Sequence, residues 1–174
     1  DLVVAANAVV QPMGLYSNKI HSLDDIKADT KIAIPNDPSN GGRALVLLEK
    51  AGIIKLKPDY KGEASIHDVA ENPRGVKLVE LEAAQLPISL QDLDVACVPM
   101  NYAVSGGLDV NKQGFYFESR DAKYALIIIA ARPDNVQSPE VQTFVKCYQS
   151  PEVAAFIKEK FKGQINPAWE QPAK

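Results

Sequence analysis

The chain has 174 residues, 46% of them hydrophobic, which is enough for one sizeable core or two small ones and excludes a collagen-like or disordered chain. Nineteen Lys and Arg against 22 Asp and Glu give a formal net charge of -3, with both signs scattered and no basic run interleaved with aromatics, so a nucleic-acid partner is not indicated. The longest apolar run, "YALIIIAA" from Tyr124 to Ala131, is far shorter than the ~20 residues of a membrane-spanning helix.

"LVVAANAVV", Leu2 to Val10, is apolar and rich in Val, and predicts a strand that ends at a Pro12/Gly14 break. "SLDDIK" places Asp25 three residues after Ser22, the pattern of a capping box on a short helix. A strand follows from Lys31 to Pro35, and then a helix from Ser39 or Asn40. Leu45, Leu47, Leu48 and Ala51 give that helix an apolar side, and Gly52 stops it. The polar, Pro- and Gly-containing stretch to Gly75 is read as loop with one helical turn near "SIHDVAEN".

"VKLVEL" (Val76 to Leu81) is the next strand, and "EAAQLPISLQD" a helix broken at Pro87. "DVACV" is a short buried strand, "NYAVSGG" a helix stopped by Gly106 and Gly107, and "FYFES" an edge strand. Strands alternating with helices in this way predict an α/β sheet of mainly parallel type over Ile32 to Val98. Tyr124 to Ala131 is a second wholly apolar strand, expected to pair with Leu2 to Val10 and to be buried on both faces. Two helices close the chain, each opening on "SPEV" at Ser138 and Ser150. Ser at the N-cap and Pro at the first helical position form a strong start signal, because Pro lacks only an N–H that would have no helical partner there. Cys97 and Cys147 lie far apart without CxxC or His neighbours, and are expected as buried thiols.

Arg43 is the sharpest chemical feature. A helix starting just beyond the carboxyl end of a strand turns its free N–H groups and positive dipole toward the crevice where open α/β sheets bind ligands. A guanidinium there suits a carboxylate, whose two oxygens match its planar fork. Pattern alone leaves a second reading open, an exposed arginine that does little. Asp37, ahead of Pro38, is read as turn chemistry, whereas Asn36 and Asn40 carry both a turn role and a ligand-facing role. No residue is assigned to catalysis or to a metal, and no cofactor is expected. His21 and His67 lie in polar surroundings, no GxSxG is present, and Cys97 in an apolar strand would have its pKa raised rather than lowered.

"PMGLYSNKIHSLDDIK", "KIAIPNDPSNGGRALVLLEKAGIIKL", "ENPRGVKLVELEAAQLPISLQDLDVA" and "QSPEVAAFIKEKF" together resemble the NlpA-type, methionine-binding lipoproteins that serve bacterial ABC importers. The resemblance implies an α/β, two-lobe periplasmic binding protein-like fold of type II, here one complete lobe plus part of the other. Residues 1–18 would be a crossing strand and remnant of lobe one, 19–120 lobe two, and 121–174 the return strand and C-terminal helices of lobe one. It further implies a solute-binding receptor, not an enzyme, that captures methionine or a related amino acid-like ligand through its carboxylate. Delivery would be to a permease and its ATPase, from the periplasmic side of the cell envelope, with a lipid anchor outside this chain. A non-transport sensor on the same plan is the alternative.

The same resemblance makes Arg43 the carboxylate-binding residue, with Asn36, Asn40, Asn101 and Gln11 as further ligand-binding candidates. It departs from the family at three places. Pro99 and Leu126 stand where asparagines are usual, and Val9 and Gln11 where aromatics often precede the Pro of the crossing strand, so methionine is expected to bind weakly or not at all. A chain that starts at Asp1, in mid-strand, reads as a piece of something longer. It is expected to be paired, either with the missing N-terminal segment or with a second copy.

Overall fold

The computed structural model describes residues 1–119 and 122–170. Its strands are, in chain order, β1 (Val3–Val10), β2 (Met13–Tyr16), β3 (Lys31–Pro35), β4 (Lys55–Leu56), β5 (Val69–Glu71), β6 (Lys77–Leu81), β7 (Val95–Pro99), β8 (Gly114–Phe117), β9 (Leu126–Ala131) and β10 (Asn166–Pro167). The α-helices are α1 (Pro38–Lys50), α2 (Leu86–Ser89), α3 (Met100–Ser105), α4 (Val110–Gln113), α5 (Pro139–Tyr148) and α6 (Pro151–Phe161). The chain divides into two compact units, Met13–Glu118 on one side and Asp1–Pro12 with Ser119–Lys174 on the other.

The central unit is built on a five-stranded sheet in the order β6-β3-β7-β2-β8. β3 is parallel to both β6 and β7, while β2 is antiparallel to β7 and to β8. The expectation of a mainly parallel sheet therefore holds for β6-β3-β7 and fails for the other half. Within this sheet β2 is the strand not expected from the sequence, because Pro12 and Gly14 together have the pattern of a break. Only Pro12 breaks the chain. Gly14 is inside the strand because the ring of Phe117 lies 2.6 Å from where a Cβ would stand.

α1 shows why its sequence folds locally. Pro38 occupies the first turn and Asp37 is the N-cap, its carboxylate accepting from the Asn40 N–H at 2.9 Å. The helix thus starts one or two residues earlier than expected, which moves Arg43 from the first turn into the second. At the other end Gly52, at φ +69°, closes a Schellman motif: its N–H donates to Glu49 O and the Ile53 N–H to Leu48 O. Ala44, Leu45, Leu47, Leu48 and Ala51 are all buried and join Leu15, Ile32, Ile34, Ile53 and Val95 in the core.

The start of α1 lies against β3 so closely that a Cβ on Gly41 would stand 2.7 Å from the Pro35 carbonyl oxygen. Gly41→Ala is therefore expected to destabilise the protein by about 1–3 kcal/mol, since overpacking against backbone has little room to relax. A denaturation midpoint equal to wild type would contradict the close approach.

Other local signals hold in part. Ser22 does not cap its short 3-10 helix, Leu23–Asp25; its hydroxyl donates to the Asp25 carboxylate instead. A full capping box forms at Ser65 and Asp68. Pro87 splits its segment into a 3-10 turn and α2, and α4, capped by Asp109, was not foreseen.

In the second unit β1 lies between β9 and β10, antiparallel to both. The β1–β9 pairing is the one expected, running from Val3↔Ala131 to Val10↔Leu126. Ser138 and Ser150 cap α5 and α6 as read, accepting from the Val141 and Val153 N–H groups. Burial on both faces is overturned. Leu126, Ile128 and Ala130 leave one face of β9 exposed, Ile127 is exposed and Ile129 and Ala131 are half-buried on the other, and β9 is an edge strand among the described residues. Cys147 is likewise exposed, because α5 buries none of its residues; Cys97 is buried, and both thiols are free.

Candidate functional site

In the central unit the strand directions gather four chain segments at one edge of the sheet. β3 and β7 are parallel, so Pro35 and Pro99 end at the same side; β2 starts there, with Met13 opposite Pro99, and β8 ends there, with Phe117 opposite Gly14. Glu118 follows Phe117 directly. This is the carboxyl edge of the parallel strands, where α/β sheets place their ligands.

Arg43 is buried, at 7% relative exposure, which disposes of the reading as a solvated surface arginine. Its guanidinium is committed to Glu118. Arg43 Nε donates to Glu118 Oε1 and Oε2 at 2.9 and 3.0 Å, and Nη2 donates to Oε2 at 2.5 Å. The Glu118 carboxylate also accepts from the Met13 N–H at 2.8 Å, and the Glu118 N–H donates to the Met13 carbonyl at 2.9 Å. The Glu118 side chain is as little exposed as its partner's, and this set of donors compensates the removal of the pair from water. Its charge reaches the core: burial raises the Cys97 thiol pKa well above its ordinary value, and Glu118 raises it further. Cys97 is thus held as an inert thiol.

The other sequence candidates fall in both units. Asn40 is engaged by its own helix cap, its amide donating to both Asp37 carboxylate oxygens at 3.2 and 3.1 Å. Asn36 is exposed just past β3 and lines a cavity of about 170 Å³ together with Asp37, Gly41, Gly42, Glu63 and Ser65; neither Arg43 nor Asn40 lines it. Asn101 is exposed in the first turn of α3, two residues beyond Pro99. Gln11 belongs to the other unit, where its N–H donates to the Ala125 carbonyl. Leu126 is the first residue of β9 in that unit.

Sequence reading missed Glu118. It stands 75 residues from Arg43 at the end of an ordinary edge strand, and no local pattern marks it. Both histidines are exposed, and among the described residues no group of three or more His, Cys, Asp or Glu is placed to hold a metal ion. No helix among them is long and apolar enough to cross a membrane.

The profile of the family described as NlpA lipoprotein matches residues 1–169. The D-methionine-binding lipoprotein MetQ of Escherichia coli K12 is 42% identical over 170 residues, which make up 97% of this chain and 62% of that protein. The probable D-methionine-binding lipoprotein MetQ of Vibrio cholerae is 39% identical over 168 residues, with the same coverage. The chain therefore spans less than two thirds of the length of these curated relatives. Among solved structures, a nutrient binding protein from Burkholderia cenocepacia bound to methionine superposes with a TM-score of 0.88 at 44% identity, covering 96% of this chain and 70% of that one. The lipoprotein Tp32 from Treponema pallidum gives 0.87 at 35% identity, covering 97% and 70%.

Proposed function

Because the chain belongs to the NlpA lipoprotein family, with an α/β fold of the periplasmic binding protein kind, we propose that it is the ligand-capturing part of a solute receptor. It binds methionine or a related amino acid through the carboxylate, and Arg43 is the group that holds it. In the whole protein, which is lipid-anchored at the periplasmic side of the cell envelope, the ligand passes to an ABC permease driven by its ATPase. The unit Met13–Glu118 supplies one lobe, six residues longer at its start than the 19–120 expected because β2 belongs to its sheet, and Asp1–Pro12 with Ser119–Lys174 supplies part of the other. Binding occurs without turnover, in keeping with relatives named for what they bind.

The observation that carries this reading is the position of Arg43. Arg43, oriented by its pairing with Glu118, lies in the unit whose parallel strands end at the edge where such sheets place their ligands, and its planar fork suits a carboxylate. Asn36 and Asn101 lie at the ends of β3 and β7 on that same edge and are the polar residues we assign to the remainder of the ligand, with Asn40 and Gln11 as lesser contributors. Pro99 and Leu126 offer no side-chain hydrogen bonds, so contacts to the α-amino group differ from the family's usual set.

Titration of the protein with D- and L-methionine by calorimetry tests the proposal. Saturable binding of at least one enantiomer is expected, with Kd above about 1 μM, weaker than roughly -8 kcal/mol. Submicromolar binding would show that other residues replace the two asparagines. No saturable binding of methionine or of any other amino acid would contradict the receptor reading.

A further inference from the structure

Arg43 is not a lone cation. The Glu118 carboxylate is bonded to both its Nε and its Nη2, and the side chains of the pair are only 8% and 7% exposed. Among the described residues, this pair puts one buried positive and one buried negative charge at the carboxyl edge of the sheet, in contact and formally cancelling. A ligand that brought only a carboxylate would leave a net negative charge in a site from which water is largely excluded, and buried uncompensated charge is strongly disfavoured. A ligand that brings both a carboxylate and an ammonium leaves the balance unchanged: the carboxylate is attracted by Arg43, and the ammonium lies in the field of Glu118.

We propose that Glu118 is a specificity-determining residue that makes this site select zwitterionic amino acids over simple carboxylate anions. The inference rests on the carboxylate role of Arg43 proposed above and adds the charge rule that accompanies it. Glu118 is well placed to enforce that rule because it is fixed on both sides of its Cα. Its N–H is bonded to the Met13 carbonyl and its carboxylate to the Met13 N–H, so it cannot swing out to solvent without breaking the contact between β2 and the end of β8. No other ionisable side chain is recorded in contact with the Glu118 carboxylate among the described residues; Cys97, which feels its charge, stays a neutral thiol.

The test compares methionine with 4-(methylthio)butanoate, the same side chain and carboxylate without the ammonium, in wild type, Glu118→Gln and Glu118→Asp. Affinities are read by calorimetry or by competition, and the quantity of interest is the ratio of the two Kd values within each protein, so partial loss of folded material cancels. In wild type the anion is expected to bind at least about 100-fold more weakly than methionine. Glu118→Gln keeps an acceptor oxygen but removes the charge, and should narrow the gap by about tenfold or more, chiefly by improving binding of the anion. Glu118→Asp keeps the charge and should retain most of the wild-type gap, whereas a purely structural role would make the shorter side chain the worse of the two.

A gap that is the same in Glu118→Gln as in wild type, with methionine still bound, overturns the charge rule and leaves the receptor reading standing. Failure of the wild-type protein to bind methionine or any other amino acid overturns both.

Discussion

Arg43→Ala is expected to abolish methionine binding and, in the same protein, to lower stability by about 3–5 kcal/mol, because it leaves the Glu118 carboxylate buried with its principal counter-charge removed. Against a total stability on the order of 5–15 kcal/mol, that loss brings the variant close to unfolding. The binding defect of the single variant alone would therefore be ambiguous. Replacing both members, Arg43→Met with Glu118→Leu, removes the two buried charges together, and such exchanges are often neutral or stabilising. The double variant should recover most of the stability by chemical denaturation and still fail to bind. Wild-type stability in Arg43→Ala would contradict the buried ion pair. Methionine binding by the stable double variant would show that the carboxylate is held elsewhere.

The second large effect concerns the other unit. We propose that its open face is covered, in the whole protein, by the counterpart of the third or more of the relatives' length that this chain does not span. Ala8, Val9, Val10, Ala125, Ala154, Ile157, Ile165 and Ala168 are buried in it, while Leu2 is 71% exposed and Phe144 and Phe156 are 56% and 60% exposed. One face of β9 is exposed and the other half-covered, and among the described residues its outer edge has no neighbouring strand. Exposed apolar side chains on an open edge strand favour association with another polypeptide.

Left without its cover, the 174-residue chain is expected to associate with itself, with a mass above the monomer in light scattering at micromolar concentration. Ile128→Lys, which puts a charge on the open edge strand, should lower that mass. A monodisperse monomer with no second polypeptide in the sample would refute the proposal.

What could be read from the sequence was whatever depends on neighbours along the chain. The Asp37 turn, the apolar side of α1 and the Gly52 stop all act within a few residues, and so do the Ser138 and Ser150 caps. Even there competition matters: Asn40, a candidate for ligand contact, is used by the Asp37 cap, and Ser22 gives its hydroxyl to Asp25. What could not be read depends on segments that meet only after folding. β2 looked like punctuation because its Gly14 is required by a ring from Phe117, more than a hundred residues later. Arg43 was conspicuous by its position, but its partner was not, since a glutamate at the end of an edge strand has the same local pattern whether it is solvated or buried against a guanidinium. Burial of β9 was misjudged for a related reason: an apolar strand announces that it needs cover on both faces, and does not say whether the cover lies in the same stretch of chain.

The central claim is that the ligand's carboxylate is the group recognised, and it can be tested without altering the protein. Calorimetric titration of one sample with methionine and with methioninamide, which differs only in having its carboxylate replaced by an amide, measures that group alone. Loss of a charge-assisted pair with Arg43 costs on the order of 2–5 kcal/mol, so the amide should bind roughly thirty-fold to several-thousand-fold more weakly. Equal affinity for the two compounds would contradict the assignment of Arg43 to the carboxylate.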